Sequence, residues 1–319
     1  MGFVCSLVCL FGWGFADMFY KKSSDEEDKY SHLRIAVWVG LVMGICALAL
    51  LPFSETSFTA GSLLVNTVKY FPASLCYILS MVIGYAGLRY LEISIVSPVQ
   101  NSSGGLAAVA MIIWFVVSGK FSSIGEEFGF MDITGTVFCV LGVVLLAVVE
   151  RNLEKSNMTP SENKLAHSAK ALIFPILYCV FDTIGTAADG IILDEDTGLG
   201  LGEIDVIVLY GLTFLVMGIV SWVFLFVKEK KAYNPFAAKE VKTKGVAALF
   251  EEFGQIFYVF AMAANPVLAA PVVASYCIVS VVLSRIFLNE KLDKKQYLCV
   301  ALVILGIVVL GISEGLAEL

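Results

Sequence analysis

GVAALFEEFGQIFYVFAMAANPVLAAPVVASYCIVSVVLS, residues 245–284, decides what kind of protein this is. Its forty residues carry only two charges, Glu251 and Glu252. At about 1.5 Å of rise per residue, one unbroken helix would reach about 60 Å, roughly twice the hydrocarbon thickness of a bilayer. Asn265-Pro266 stands in the middle, and a proline there has no N–H with which to continue a helix. The stretch therefore predicts two membrane spans, 245–264 and 267–288, joined by a tight turn.

The rest of the chain follows the same pattern. Of its 319 residues 59% are hydrophobic and 15% charged, with a mean hydropathy of +0.87. Soluble domains carry about a quarter charged residues, so this composition excludes a disordered chain and a disulfide scaffold and argues against a soluble enzyme. Reading between charges gives Gly2–Tyr20, Ile35–Ser54, Tyr70–Leu88, Ile93–Gly119 and Ile133–Val149, then Ala171–Leu193, Val206–Val227, 245–264, 267–288 and Gln296–Ser313. These predict an all-α polytopic membrane protein of ten transmembrane helices, with residues 1–149 and 171–319 as two five-span halves and 150–170 as a polar central loop. The first span has no basic segment before it and is not expected to be a cleaved signal. A net charge of −7 points away from nucleic acid as a partner. The eight cysteines fall in apolar runs without a CxxC pair and read as small buried hydrophobes.

Lys and Arg set the orientation. Nineteen of the 21 fall in or beside the loops that follow spans 1, 3, 5, 7 and 9, and only Lys69 and Lys120 fall on the other side. Those odd-numbered loops are expected to be cytoplasmic, which places both termini outside the cell membrane.

The halves also resemble each other. Val140-Leu-Gly-Val-Val-Leu-Leu-Ala147 corresponds to Ile304-Leu-Gly-Ile-Val-Val-Leu-Gly311 at an offset of 164, and Trp13-Gly-Phe-Ala-Asp17 to Tyr178-Cys-Val-Phe-Asp182 at 165. Pro98-Val99 corresponds to Pro271-Val272 at 173. An odd number of spans per half requires the two halves to insert in opposite senses, an inverted-repeat architecture common in transporters.

Asn265-Pro-Val-Leu-Ala-Ala-Pro-Val-Val-Ala-Ser-Tyr276, Leu288-Asn-Glu-Lys-Leu292 and Ile304-Leu-Gly-Ile-Val308 resemble the EamA-type transporters of the drug/metabolite transporter superfamily. Trp13-Gly14 is similar to the aromatic-glycine pair of their first helix. The resemblance implies ten helices in two inverted five-helix repeats and a carrier function. It leaves the cargo open, because the family moves amino acids, sugars, nucleotides and drugs in either direction. The first half departs from the pattern, with Gly119-Lys120 near where Glu290-Lys291 stands in the second.

An ionised group inside a bilayer costs at least a few kcal/mol at the helix centre, so the carboxylates within spans are candidates. Trp13, Asp17 and Tyr20 share one helical face, as do Glu251, Gln255 and Tyr258. Asp182 takes the position in the second half that Asp17 takes in the first. Gln100 and Asn101 follow Pro98, where the helix lacks a backbone donor. Tyr276 is a further lining candidate. These residues either line a water-filled cavity, binding cargo or a proton, or pair with neighbours to fix packing. Asp189, nearer the outer end, reads as solvated. Glu252 points about 100° away from Glu251. Tyr85 reads as core packing, and Arg89 and Arg285 as anchors at cytoplasmic helix ends.

Neither histidine has metal-ligand spacing and no Gly-rich phosphate loop is present, so no metal, cofactor or catalytic group is expected. An intramembrane enzyme would need a nucleophile with its base. A receptor or scaffold would call for a larger loop than 150–170. The expectation is a secondary carrier of a small non-phosphorylated solute, with amino acids and amines foremost, working by alternating access with the proton as a coupling candidate. Oligomeric state is left open.

Overall fold

In a bilayer every backbone N–H and C=O needs a partner within the protein, which restricts open chains to helices. The computed structural model is helical from end to end, with no strand among the described residues. The structure describes all residues except 26, 57, 92, 158–170, 197, 231, 288–292 and 318–319. Most of the central loop, His167, the Leu288–Leu292 motif and the last two residues lie outside that set.

Ten helical stretches are long and apolar enough to cross a membrane. They are spans 1 (Gly2–Ser23), 2 (Ser31–Phe53), 3 (Ala60–Gly87), 4 (Val96–Val117), 5 (Phe130–Val149), 6 (Ile173–Ile192), 7 (Glu203–Glu229), 8 (Ala238–Ala264), 9 (Pro266–Phe287) and 10 (Lys294–Ser313). All ten expected spans are present, most with ends shifted by a few residues, and three departures stand out. Span 3 begins ten residues before Tyr70, because Thr59 caps it through a reciprocal box with Ser62. Lys69 then lies inside the helix, exposed, where its stem can carry the charge outward. The helix of span 5 runs on to Asn157, into the sequence assigned to the central loop.

The third difference is a pair of breaks. Span 4 divides into Ile93–Asn101 and Ser103–Val117, and span 9 into Pro266–Ala274 and Tyr276–Phe287. Each break lies four residues after a proline. Ser102 Oγ donates to the Pro98 carbonyl at 3.1 Å, and Ser275 Oγ donates to the Pro271 carbonyl at 2.7 Å. Proline blocks the regular bond to the preceding turn, and a back-bonding serine bends the helix further. The two breaks share the pattern Pro-Val-x-x-Ser.

Span 1 packs along span 8, span 2 along span 7, span 3 along span 6, span 4 along span 9, and span 5 along span 10. Exchanging the halves, spans 1–5 for 6–10, converts the 1–8 pair into 6–3 and returns the other three pairs to themselves. Small residues let the backbones approach closely. A Cβ placed on Gly12 would lie 3.0 Å from Gly254 Cα, one on Gly40 2.7 Å from Gly218 Cα, and one on Gly306 2.7 Å from the Gly135 carbonyl oxygen.

Charged side chains tie the helix ends. Where spans 1, 2, 7 and 8 end together, Arg34 bonds Asp28 at 2.7 Å and Glu229 at 2.6 Å, and Lys244 bonds Glu240 at 2.9 Å. Tyr233, in the 7–8 loop, donates to Glu240 at 2.6 Å, and burial together with that carboxylate raises its phenol above the ordinary range. Lys21 Nζ donates to the carbonyls of Leu88 and Leu91, closing the end of span 3 at 2.8 and 2.9 Å. On the opposite face Lys120 pairs with Asp194, and buried Asp205 accepts from Ser54 and Thr56.

Candidate functional site

Asp17, Asp182 and Glu251, from spans 1, 6 and 8, converge on one central cavity. Trp13, Tyr20, Gln100, Asn101, Gln255, Tyr258 and Tyr276 line the same space. All ten candidates from the sequence are therefore brought together, although they lie up to 263 residues apart in the chain. The cavity volume is about 60 Å³, room for a few water molecules and well below the roughly 300–1,000 Å³ usual for small-molecule sites, so in this conformation the space is nearly closed.

Helical spacing explains the convergence. Trp13, Asp17 and Tyr20 succeed one another at four and three residues, as do Glu251, Gln255 and Tyr258 at four and three, so each helix turns a single stripe inward. The Trp13 indole N–H donates to the Glu251 carbonyl oxygen at 3.1 Å, locking span 1 to span 8. Its ring lies 5.1 Å from Tyr258 and 5.7 Å, edge-on, from Tyr276. The Tyr20 and Tyr85 rings, both lining residues, lie 4.8 Å apart and tilted by 51°. Asp182 Oδ2 accepts from Ser103 Oγ at 2.6 Å. Asn101 instead turns back to its own helix and donates to the Ser97 carbonyl at 2.8 Å.

Other lining residues escaped the sequence reading. Tyr85, assigned to packing, is buried in the apolar core as expected and also borders the cavity. Tyr77, Met81 and Tyr85 form one stripe on span 3, continued by Leu88 just past its end, and Tyr178, Asp182 and Thr186 form another on span 6; four-residue spacing around Asp182 marks the second, whereas apolar Met81 and Leu88 hide the first. Tyr210 is a lone residue of span 7 and gave no such signal. Gly84 leaves room for its neighbours: a Cβ there would lie 2.6 Å from the Tyr178 ring and 2.8 Å from Gln100 Nε2.

Asp189 is the clear correction. It was expected to be solvated near the outer end of span 6, yet it is 0% exposed, because spans 3 and 8 close over it, and it accepts from Tyr70 at 2.8 Å. Glu252 is also buried and, as its angle from Glu251 predicts, it does not line the cavity.

Among the described residues the lining includes three carboxylates and eight aromatic rings, and no Lys, Arg or His. In a low-dielectric space of this kind a cationic group brought beside a carboxylate is attracted more strongly than in water. Gln100 and Gln255, 4% and 2% exposed, each have a side-chain Nε2 without a hydrogen-bond partner. Among the described residues no group of His, Cys, Asp and Glu is arranged to hold a metal ion.

Residues 197–312 match the EamA-like transporter family. That EamA-like region runs from just before span 7 to the end of span 10, and so includes Glu251, Gln255, Tyr258 and Tyr276. A solved structure titled only "Crystal structure of protein" is similar over 100% of this chain and 99% of its own, at 11% identity and a TM-score of 0.61. At that identity the likeness is one of fold. No curated protein matches the chain. The EamA-like match and the ten-helix fold together support a membrane transporter at the family level.

Proposed function

We propose that the protein is a secondary carrier for small solutes bearing an amine, amino acids among them, and that it works by alternating access in the cell membrane. The observation that carries this reading is the cavity lining, with Asp17, Asp182 and Glu251 set among aromatic faces and no Lys, Arg or His among the described lining residues. An ammonium group satisfies the carboxylates and can rest on the faces of Trp13 and Tyr276. A phosphorylated cargo would need fixed cations or bidentate arginine donors in place of its hydration, and this lining would repel it instead. The unpartnered amides of Gln100 and Gln255 supply donors for a carbonyl or carboxylate on the same solute.

Alternating access draws support from the helix pairing, which is unchanged when the halves are exchanged. On this reading 1–149 and 171–319 are inverted repeats that rock about the cavity, and the polar region 150–170 connects them on the cytoplasmic side. The same carboxylates can hold a proton when no amine is present, which makes proton exchange the natural coupling. No chemical conversion of the cargo is part of the proposal.

The test is ligand competition on the purified protein, read as a shift in melting temperature. A ligand at 100 times its Kd stabilises a fold by about 2.7 kcal/mol. Amino acids or amines should shift the transition and glucose 6-phosphate should not. A saturable shift with the sugar phosphate and none with any amine would overturn the reading.

A further inference from the structure

Asp189 lies outside the cavity lining and has no part in the cargo site described above. It is fully buried in the outer half of span 6, where ionisation without a partner would be costly. Oδ1 accepts from Tyr70 at 2.8 Å, while Oδ2 has no hydrogen-bond partner. The titratable groups that face it are Tyr70 and Tyr77 of span 3, Tyr210 of span 7, Tyr258 of span 8 and Asp182 of its own helix. None is a cation.

One of these tyrosines connects Asp189 with the cavity. The Tyr77 hydroxyl meets span 6 one helical turn before Asp189, donating to Thr186 Oγ1 at 3.3 Å, and Tyr77 lies two turns along span 3 from Tyr70, which holds Asp189. The same hydroxyl lies 2.6 Å from that of Tyr258. Tyr77, Thr186 and Tyr258 all line the cavity, and so does Asp182, seven residues before Asp189.

We propose that Asp189 is a proton-holding site and that the hydroxyls of Tyr77, Thr186 and Tyr258 exchange its proton with the cavity. A proton leaving the Asp189 carboxyl is accepted by the Tyr77 oxygen as that hydroxyl passes its own proton to Tyr258 or Thr186. The last hydroxyl releases a proton through the cavity to the Asp182 carboxylate. Every hydroxyl ends as it began, and the net change is one proton moved from Asp189 to Asp182. The use of that proton as a coupling ion rests on the carrier reading; its residence at Asp189 does not.

The experiment is infrared spectroscopy of the purified full-length protein, labelled with ¹³C-aspartate, at neutral pH. Asp189→Asn should remove one protonated-carboxyl C=O band, and Tyr70→Phe should shift that band by deleting its hydrogen bond. On transfer to D₂O the band should move as COOH becomes COOD, and Tyr77→Phe should slow that exchange at least tenfold while leaving the band in place. Tyr70→Phe and Tyr77→Phe conserve shape, so the result does not depend on Asp189→Asn folding. A wild-type spectrum without a band that responds to Tyr70→Phe or Asp189→Asn means that Asp189 is ionised and overturns the proposal. Exchange as fast in Tyr77→Phe as in wild type overturns the relay. Neither result depends on whether any solute is transported, so failure here is distinguishable from failure of the carrier reading.

Discussion

Ser103 and Asp182 join span 4 to span 6 through a 2.6 Å hydrogen bond, donated by the hydroxyl to Oδ2 of the carboxylate. The bond fixes one carboxylate oxygen and leaves Asp182 facing the cavity from the matched position of the second half. Hydrogen bonds to charged groups contribute about 1.5–3 kcal/mol. Asp182→Asn should therefore weaken amine binding by about 10- to 100-fold. Ser103→Ala, which leaves the charge in place, should weaken it by a smaller factor. Isothermal titration of the purified variants decides this, and equal affinity in Asp182→Asn and wild type would remove the residue from the site.

The aromatic wall makes a separate prediction. A quaternary ammonium cannot donate an N–H, but it still gains from π faces. If Trp13 acts through its ring, Trp13→Phe should retain most of the affinity for tetramethylammonium and Trp13→Ala should lose about 1 kcal/mol or more. Fluorescence quenching does not serve once the indole is gone, so the measurement is displacement of a labelled amine. Equal affinities in all three proteins would leave Trp13 as packing alone.

Gly40 and Gly61 provide a matched pair for stability. A Cβ on Gly40 would overlap the backbone of span 7 near Phe214 and Gly218, whereas one on Gly61 meets nothing within 4 Å. Overpacking of this kind costs about 1–3 kcal/mol. Gly40→Ala should lower the melting temperature in detergent, and Gly61→Ala should leave it unchanged or raise it, since alanine is the better helix former.

Orientation can be checked with single cysteines in a cysteine-free background. Glu195 is an exposed residue of the 6–7 loop and Lys239 an exposed residue near the start of span 8, at opposite membrane faces. An impermeant maleimide should label Glu195→Cys in intact cells and Lys239→Cys only after permeabilisation. The reverse pattern would invert the assignment made from the 19-to-2 division of cations.

Much of the site was legible because the bilayer makes polar residues conspicuous. Asp17, Asp182 and Glu251 stood out from apolar surroundings, and helical spacing then recruited Trp13, Tyr20, Gln255 and Tyr258 to the same faces. Tyrosine was harder to read. Tyr77, Tyr178 and Tyr210 are common in apolar helices, and only the packing of span 3 on span 6 and span 7 shows which ring faces the space. Asp189 was misread for a related reason: its depth along span 6 was legible, but the Tyr70 side chain and the neighbouring helices that cover it come from sequence more than a hundred residues earlier and dozens later. The breaks in spans 4 and 9 depended on a detail no hydropathy profile carries, a serine four residues after a proline.

Among the described residues, spans 2, 5 and 10 contribute none to the cavity lining. Toward lipid, any apolar side chain of moderate size will serve, so the lipid-facing positions of these spans are free to drift as long as the glycine seams stay open. Such drift is consistent with a backbone shared at 11% identity with a solved structure. On the carrier reading proposed above, it also separates the positions that record ancestry from those that choose the cargo. Two descendants of this chain could diverge at most of their lipid-facing residues and still carry the same solute, while a handful of changes among the inward stripes of spans 1, 3, 6 and 8 would give a new specificity on an old scaffold.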